Sequence, residues 1–428
     1  MCIRDPKKLI TDLLIADYFR ATPYVSLLID DLSRLLYLSL VGERLIAKCP
    51  RVLINTRAAI QRTETMNYCI KIPIALLICV LMIQGASAQN SRLASATDVA
   101  RYLAGMPVSE GSPLASLTRD PQWLAHSNAM NLSFAKAETR QLSNIRTWRA
   151  TMLAPVIPAN RVCLYLFGGP DFLYANVFYP DAPAYVLQGL ETIDAIPDLL
   201  TLPAQALNGT LQNIEVSLNT ALNFTYFETK DMRENFSRSE LKGVLPILFV
   251  FIARSGLTIA KIDYVSLAPN GAVVDGFRSG VRGVRILLDD PRSSREKSLY
   301  YFSADLSNGS MSPGILRFCS NLGPTNSLLK SASYLMHEDS FSTVRTLLLN
   351  VSASIVEDDS GIPVRDFGPD RWTLRLFGSY VGPIELFKNF YQTDLYQDYG
   401  ANSPKPLTFG FGYQINRRSS NLIVAVRK

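Results

Sequence analysis

The sequence predicts an α/β or α+β fold, a mixed sheet with flanking helices in a single compact unit, and three observations lead there. Short apolar runs of strand length, Val162 to Phe167 foremost, stop on Gly, Pro and Asp. Between them lie amphipathic stretches, of which Leu207, Leu211, Ile214, Leu218 and Leu222, all on one helical face, are the clearest. Strands and helices follow in no strict βαβ rhythm and no internal repeat is visible, so the sheet is expected to mix directions.

The chain of 428 residues opens with a part that is not expected to join that fold. Residues 1–65 set apolar pairs such as Leu13–Leu14 and Leu27–Leu28 among scattered charges, without a domain-sized pattern. They are expected to be a spurious or disordered extension, with Met66 as the true start. Residues 66–88 have the make-up of a cleavable signal peptide. Lys71 charges the leading segment, Ile72 to Ile83 is apolar apart from Pro73, and Gly85, Ala86, Ser87 and Ala88 are the small residues a signal peptidase recognises. Cleavage is expected before Gln89, giving a periplasmic or secreted bacterial protein. The apolar stretch is short for a transmembrane helix, which needs roughly 20 such residues, so no stable span is expected in the mature chain.

The mature chain divides into a helical region at 89–155 and a mixed α/β domain at 156–428. In the first, Val99, Leu103, Leu142, Ile145 and Trp148 carry weak helical periodicity. In the second, Tyr185 to Leu187 reads as a further strand, and Ser237 with Glu240 as a capping box for a helix over Val244 to Ala253. From Thr258 the pattern turns to strands, with Asn270–Gly271 as a hairpin turn leading into Ala272 to Val274. Val284 to Leu288 and Leu299 to Phe302 follow as strands around a charged, exposed loop at Asp289 to Lys297. Helices are expected at Ile315 to Cys319, Leu328 to Met336 and Phe341 to Val351, then β-like pieces at Trp372 to Phe377, Leu407 to Tyr413 and Leu422 to Val426.

Charge and cysteine usage narrow the function classes. Residues 1–88 hold 11 of the 43 Lys and Arg and 7 of the 37 Asp and Glu, so the formal charge falls from +6 to +2 without them. A nearly neutral chain whose densest basic clusters, Arg278 to Arg285 and Arg417–Arg418, are short does not present a nucleic-acid surface. The expected partner is a small ligand or a cell-envelope component. Of the 6 cysteines, Cys163 and Cys319 fall in the mature chain. An oxidising compartment would allow a disulfide between them, and two buried free thiols are the alternative.

Candidate chemistry rests on carboxylates. Asp171, Asp305, Asp358 and Asp359 stand just after expected strands, where α/β proteins place working groups and where hard cations or acid and base roles can be served. Asp beside Gly, Pro, Ser or Asn is equally an ordinary turn former. The penicillin-type spacing SxxK occurs at Ser327–Lys330, and also at Ser239–Lys242 and Ser294–Lys297, without a KTG box. His126 and His337 are the two histidines, too few for a multi-histidine metal site. No GxSxG, P-loop or strand-linked GxGxxG points to a hydrolase elbow, a nucleotide or a named cofactor. Aromatic residues crowd two stretches, Phe172, Tyr174, Phe178, Tyr179 and Tyr185, then Phe387, Phe390, Tyr391, Tyr396 and Tyr399, and serve either a core or a sugar or peptide platform.

Gly169-Pro170-Asp171-Phe172-Leu173-Tyr174-Ala175, Phe178-Tyr179-Pro180, Tyr185-Val186-Leu187 and Asp358-Asp359-Ser360-Gly361-Ile362-Pro363, with Phe377-Gly378 and Tyr380, resemble a family of uncharacterised exported bacterial proteins. The resemblance spans most of the chain after about residue 160. It implies export and a shared fold, and brings no activity with it. The expected role is an envelope-associated binding or structural module. The alternative is an exported hydrolase that uses the four aspartates, with or without a metal.

Overall fold

Five strands run parallel at the centre of one ten-stranded sheet, in the order β6 (Arg295–Ser303), β2 (Ala184–Gly189), β1 (Cys163–Tyr165), β7 (Thr325–Leu329) and β8 (Ser352–Glu357). An antiparallel wing extends one side through β5 (Val281–Asp290), β3 (Thr258–Leu267) and the short edge β4 (Val273–Asp275). The other side ends in antiparallel β10 (Asn421–Arg427) and β9 (Trp372–Gly378). The computed structural model describes residues 94–224, 241–293 and 295–428, within the unit Ala86–Lys428.

The mixed α/β architecture expected from the sequence is the one observed. Helices cover both faces, because the central strands are apolar on both sides and need two covers. On one face lie α1 (Ala96–Leu103), α2 (Pro121–Ala137), α3 (Ser143–Trp148), α4 (Phe172–Phe178), α5 (Ala204–Phe224) and α6 (Leu245–Arg254), sharing a core with Cys163, Tyr165, Leu187 and Val356. On the other, α7 (Pro313–Asn321) and α8 (Ser342–Val351) share a core with Leu164, Val186, Leu329 and Ile355. A smaller cluster joins α9 (Thr393–Asn402) to Ile423 of β10 through Leu395 and Tyr399.

Local chemistry explains the strongest elements. The predicted stripe of α5, Leu207 to Leu222, is buried at each of its five positions. In α6, Leu245 to Ala253 are buried, each large side chain contributing about 1.5–3 kcal/mol relative to exposure. Its Pro246 falls in the first turn, where the missing N–H costs no hydrogen bond. Helix α4 is buried at all seven residues, so it is held in the core rather than laid on its surface. Gly271 adopts φ +82° in the Asn270–Gly271 turn, the left-handed conformation that the expected hairpin between β3 and β4 requires.

Several expectations are corrected. Leu328 to Met336 is not a helix: Thr325–Leu329 is strand β7, and a 3-10 turn follows at Leu335–His337. A central parallel strand is buried on both faces, so it lacks the alternation that marks a strand, and the polar Thr325, Asn326 and Ser327 disguise it further. The charged, exposed loop expected at Asp289 to Lys297 is shorter than that: β5 runs to Asp290 and β6 starts at Arg295, the turn at 291–293 is exposed, and Asp290 and Lys297 are buried, 3.5 Å apart. Leu407 to Tyr413 forms a strap with isolated bridges Phe377↔Lys405 and Phe411↔Gln414 rather than a strand, and α9 had no counterpart in the pattern. Cys163 and Cys319 are both free and buried, and no disulfide forms because they belong to cores on opposite faces of the sheet. Residues 1–65, the segment 66–88, the Ser237–Glu240 box, Ser239 and Ser294 lie outside the described residues.

Candidate functional site

The chain leaves β1 through α4 to reach β2 on one side, and leaves β7 through α8 to reach β8 on the other. Neighbours β1 and β7 therefore start crossovers that diverge, with their helices on opposite faces. Such a switch point opens a crevice at the carboxyl ends of the strands, the usual ligand position in open α/β sheets. Here it is walled by segments 166–171, 330–334 and 357–361 and by the strap 403–420 between α9 and β10.

Asp171 ends the Gly168-Gly169-Pro170 turn after β1 and caps α4, its Oδ1 accepting from the Tyr174 backbone N–H at 3.2 Å. Its Oδ2 accepts from the Tyr165 hydroxyl and from Lys330 Nζ, each at 3.0 Å. The Lys330 ammonium also stands 4.3 Å from the centre of the Tyr174 ring. The two charged side chains are 1% and 4% exposed, so this is a desolvated ion pair satisfied from several directions. Burial, and after it the Asp171 charge, holds the Tyr165 and Tyr174 phenols well above their ordinary range, so Tyr165 stays a donor. Gly169, at φ +53°, lies against the buried Glu191 carboxylate, which accepts from the Tyr301 hydroxyl at 2.6 Å.

Asp358 binds three backbone segments together. Its Oδ1 accepts from the Ser331 N–H at 3.1 Å and the Ser360 hydroxyl at 2.7 Å, and its Oδ2 from the Tyr413 N–H of the strap at 3.3 Å. Gly412 lies so close that a Cβ there would meet Oδ2 at 1.8 Å. Asp359 accepts from the Tyr334 hydroxyl at 2.5 Å and from Asn421 Nδ2 at 2.8 Å. Burial, and then the Asp359 charge, raises Asp358 to about 7. Burial also raises Asp359, and pushes Glu357 well above the usual carboxylate range.

Between these two centres the backbone is strained. Ser331, Ser333 and Tyr334 have φ of +53°, +55° and +55°, a conformation that costs a non-glycine residue about 1–2 kcal/mol. Neighbouring contacts hold the turn in place: Tyr413 donates its hydroxyl to the Ser331 carbonyl at 3.0 Å, and the Ala332 N–H donates to Ser360 Oγ at 2.8 Å. The buried Ser331 hydroxyl has no hydrogen-bond partner among the described residues.

Of the predicted aspartates, Asp171, Asp358 and Asp359 come to this edge, and the Tyr165 phenol feels the charges of both Asp171 and Asp358. Asp305 does not join them. It is exposed after β6, with β2 between it and β1, and accepts from the Ser307 N–H at 2.8 Å as a turn former. Among the described residues no three His, Cys, Asp or Glu side chains gather in a metal-ligating set. The SxxK geometry is not formed, because a three-residue step along an extended strand turns the two side chains to opposite faces. Ser327 bonds Ser352 Oγ at 2.7 Å while Lys330 pairs with Asp171.

His126 is buried between Glu215 and the Leu103 carbonyl, at 2.7 and 3.0 Å, and burial lowers His337 to about 4. The aromatic stretch from Phe172 to Tyr185 is core, whereas Tyr391 and Tyr396 are exposed. Tyr165, Ser331, Tyr334, Ser360, Tyr413 and Asn421 were not singled out from sequence. A charged residue directly after a fully buried run, Lys330 after Leu328 and Leu329, is the signal that would have found the centre of the site. Comparison of the chain with family models, curated proteins and solved structures gives no match.

Proposed function

We propose that this chain is an exported bacterial protein of the cell envelope that binds a small polar ligand over the carboxyl ends of β1, β7 and β8. The observation that carries the reading is the strained turn at 331–334, whose buried Ser331 hydroxyl has no hydrogen-bond partner among the described residues and which follows Lys330, paired with Asp171, and gives its Ser331 N–H to Asp358. Strain of this kind is costly and collects where a ligand is held. Its place at the switch point supports binding there. Binding fits better than hydrolysis, because both oxygens of Asp358 and both of Asp359 already accept hydrogen bonds from protein donors.

Export is supported by the apolar segment Ile72 to Ile83 with its small-residue exit before the expected cleavage at Gln89. No helix among the described residues is long and apolar enough to cross a membrane. The test is native mass spectrometry of the protein recovered from the periplasmic or culture fraction. A chain starting near Gln89 that carries a small molecule, lost in Ser331→Ala and in Lys330→Met, is the expected result. A chain kept in the cytosol with residues 66–88 attached, or a ligand held equally by wild type and both variants, overturns the reading.

A further inference from the structure

The Ser331 hydroxyl is buried, so a ligand reaches it only if a covering segment moves. Two segments lie over the turn at 331–334. The strap brings Tyr413, and residues 379–392, between β9 and α9, bring Phe387 and Phe390. The strap is fixed by polar contacts at depth: the Tyr413 N–H donates to Asp358 at 3.3 Å and the Gly410 N–H to the buried Gln141 at 3.0 Å, and Phe409 and Phe411 belong to the main core.

The other segment is held by ring faces. Glu385–Phe390 is a 3-10 turn bent at Phe387, whose φ of −116° and ψ of 21° leave the helical range. The Phe387 ring centre stands 5.0 Å from that of Tyr334 and 5.2 Å from that of Tyr413, and Phe390 stacks on Tyr334 at 5.1 Å with the planes 15° apart. Leu386, Lys388 and Asn389 between them are exposed. Among the described residues, one hydrogen bond ties 381–391 to its surroundings, from Gln414 Nε2 to the Gly382 carbonyl at 3.2 Å. At one end Gly382 has φ +98°, a conformation open to glycine. At the other, Gln392 is anchored: its N–H donates to the Tyr380 hydroxyl at 2.9 Å, and its side chain accepts from the Val364 N–H at 2.9 Å and donates to the Asp359 carbonyl at 3.0 Å. Ring faces part without leaving a buried donor or acceptor unpaired, whereas lifting the strap would strand Asp358 and Gln141. Residues 381–391 are therefore the cover that moves at the lower cost.

We infer that residues 381–391 form a lid over the crevice, pivoting between Gly382 and the anchored Gln392 and lifting Phe387 and Phe390 off Tyr334 to open the way to Ser331. The purpose of the lid rests on the ligand reading, but its opening is measured without a ligand. Amide hydrogen exchange of the full chain tests it at the Ala332 N–H, which donates to Ser360 Oγ, and the Leu335 N–H, which donates to the Ala332 carbonyl. Both are expected to exchange about tenfold or more faster than the amides of β7 and β8, and about tenfold faster again in the double variant Phe387→Ala, Phe390→Ala. Gln414→Leu cuts the polar tie to Gly382 without touching a ring, and should quicken the same two amides while β7 and β8 keep their rates. That variant decides the matter where the double variant loosens the whole sheet. Exchange at Ala332 and Leu335 as slow as in β7 and β8, or unchanged in Gln414→Leu, overturns the lid. A lid that opens on a chain carrying no small molecule would leave this inference standing and remove the ligand reading, and a bound molecule without separate opening would do the reverse.

Discussion

Two parts of one sheet treat charge in opposite ways. In the antiparallel wing, Arg285 and Asp263 pair at 2.7 Å with side chains 28% and 15% exposed, and Lys261 joins them at 2.9 Å. At the carboxyl ends of the parallel centre, Lys330 and Asp171 pair at 3.0 Å with almost no exposure, beside Glu357, Asp358 and Asp359, which are equally buried. Water still reaches the wing network, at Lys261 above all, so its charges cost less and return less. The central charges have given up their hydration, and only their mutual placement offsets that loss. A carboxylate paired with a cation is therefore a mild contribution in one region and a constraint on the whole strand edge in the other.

Removing one partner from each pair gives the largest contrast. Lys330→Met leaves Asp171 buried without its cation and is expected to cost about 3–5 kcal/mol in urea unfolding. Adding Asp171→Asn, which keeps an oxygen to cap α4, should restore a large part of that loss, since no uncompensated charge remains. A double variant as unstable as Lys330→Met alone would mean that shape rather than charge holds this corner.

The pH dependence separates the regions by sign. Burial raises Asp358, Asp359 and Glu357, so the folded chain holds these protons more tightly than the unfolded one. Their contribution to stability is fully present below the unfolded carboxylate value of about 4 and is lost as pH rises, for Asp358 through about 7. Hydrogen bonds from Lys261 and Arg285 lower Asp263 instead, so the wing is stabilised above about pH 4 and loses that contribution as pH falls through the depressed value. The slope of unfolding free energy against pH, measured from pH 4 to 8, should be more negative in the wild type than in Asp358→Asn. Equal slopes would show that Asp358 does not hold its proton as its burial requires.

Much of this was legible in the chain. The stripe of α5, the hairpin at Asn270–Gly271 and the acids Asp171, Asp358 and Asp359 after buried runs are local patterns, and local patterns are what periodicity records. The centre of the site was not legible, for a physical reason. Strand β7 is buried on both faces yet opens with Thr325, Asn326 and Ser327, whose polar groups find partners elsewhere in the sheet, so it lacks the apolar signature of a parallel strand and Lys330 loses its context. Tyr413 reaches Asp358 across 55 residues, and no spacing rule links a strap glycine to a carboxylate so distant in sequence. The charged stretch Asp289 to Lys297 is exposed as expected at its tip, but Asp290 and Lys297 are buried. Charge suggests solvent, but Lys297 buries its stem while its head finds Asp290.

That distant contact can be broken by a single methyl group. Gly412→Ala places a Cβ on Asp358 Oδ2 and strains a backbone at φ +71°. The strap must then lift from the carboxylate or the carboxylate must turn away, at an expected cost of about 1–3 kcal/mol. Hydrogen exchange should quicken at Tyr413 and Ser331, whose N–H groups Asp358 accepts, and remain unchanged in the wing. Protection that stays the same at both amides would show that the strap closes without Asp358.

The smallest effect is expected in the wing, and it sets the scale for the rest. Arg285→Met removes a guanidinium that donates to Asp263 at 3.1 and 2.7 Å, as good a geometry as any at the centre. Distance alone would forecast a loss like that of Lys330. The Asp263 carboxylate, however, keeps Lys261 at 2.9 Å and its access to water, so no buried charge is orphaned. The expected cost is about 0–1 kcal/mol, shrinking further at high salt as screening takes over. A loss near that of Lys330→Met, measured in the same urea series, would show that hydration is not what distinguishes the two regions. A small one fits a penalty at the carboxyl edge that comes from a buried carboxylate left without a cation, since Asp263 keeps both Lys261 and its access to water.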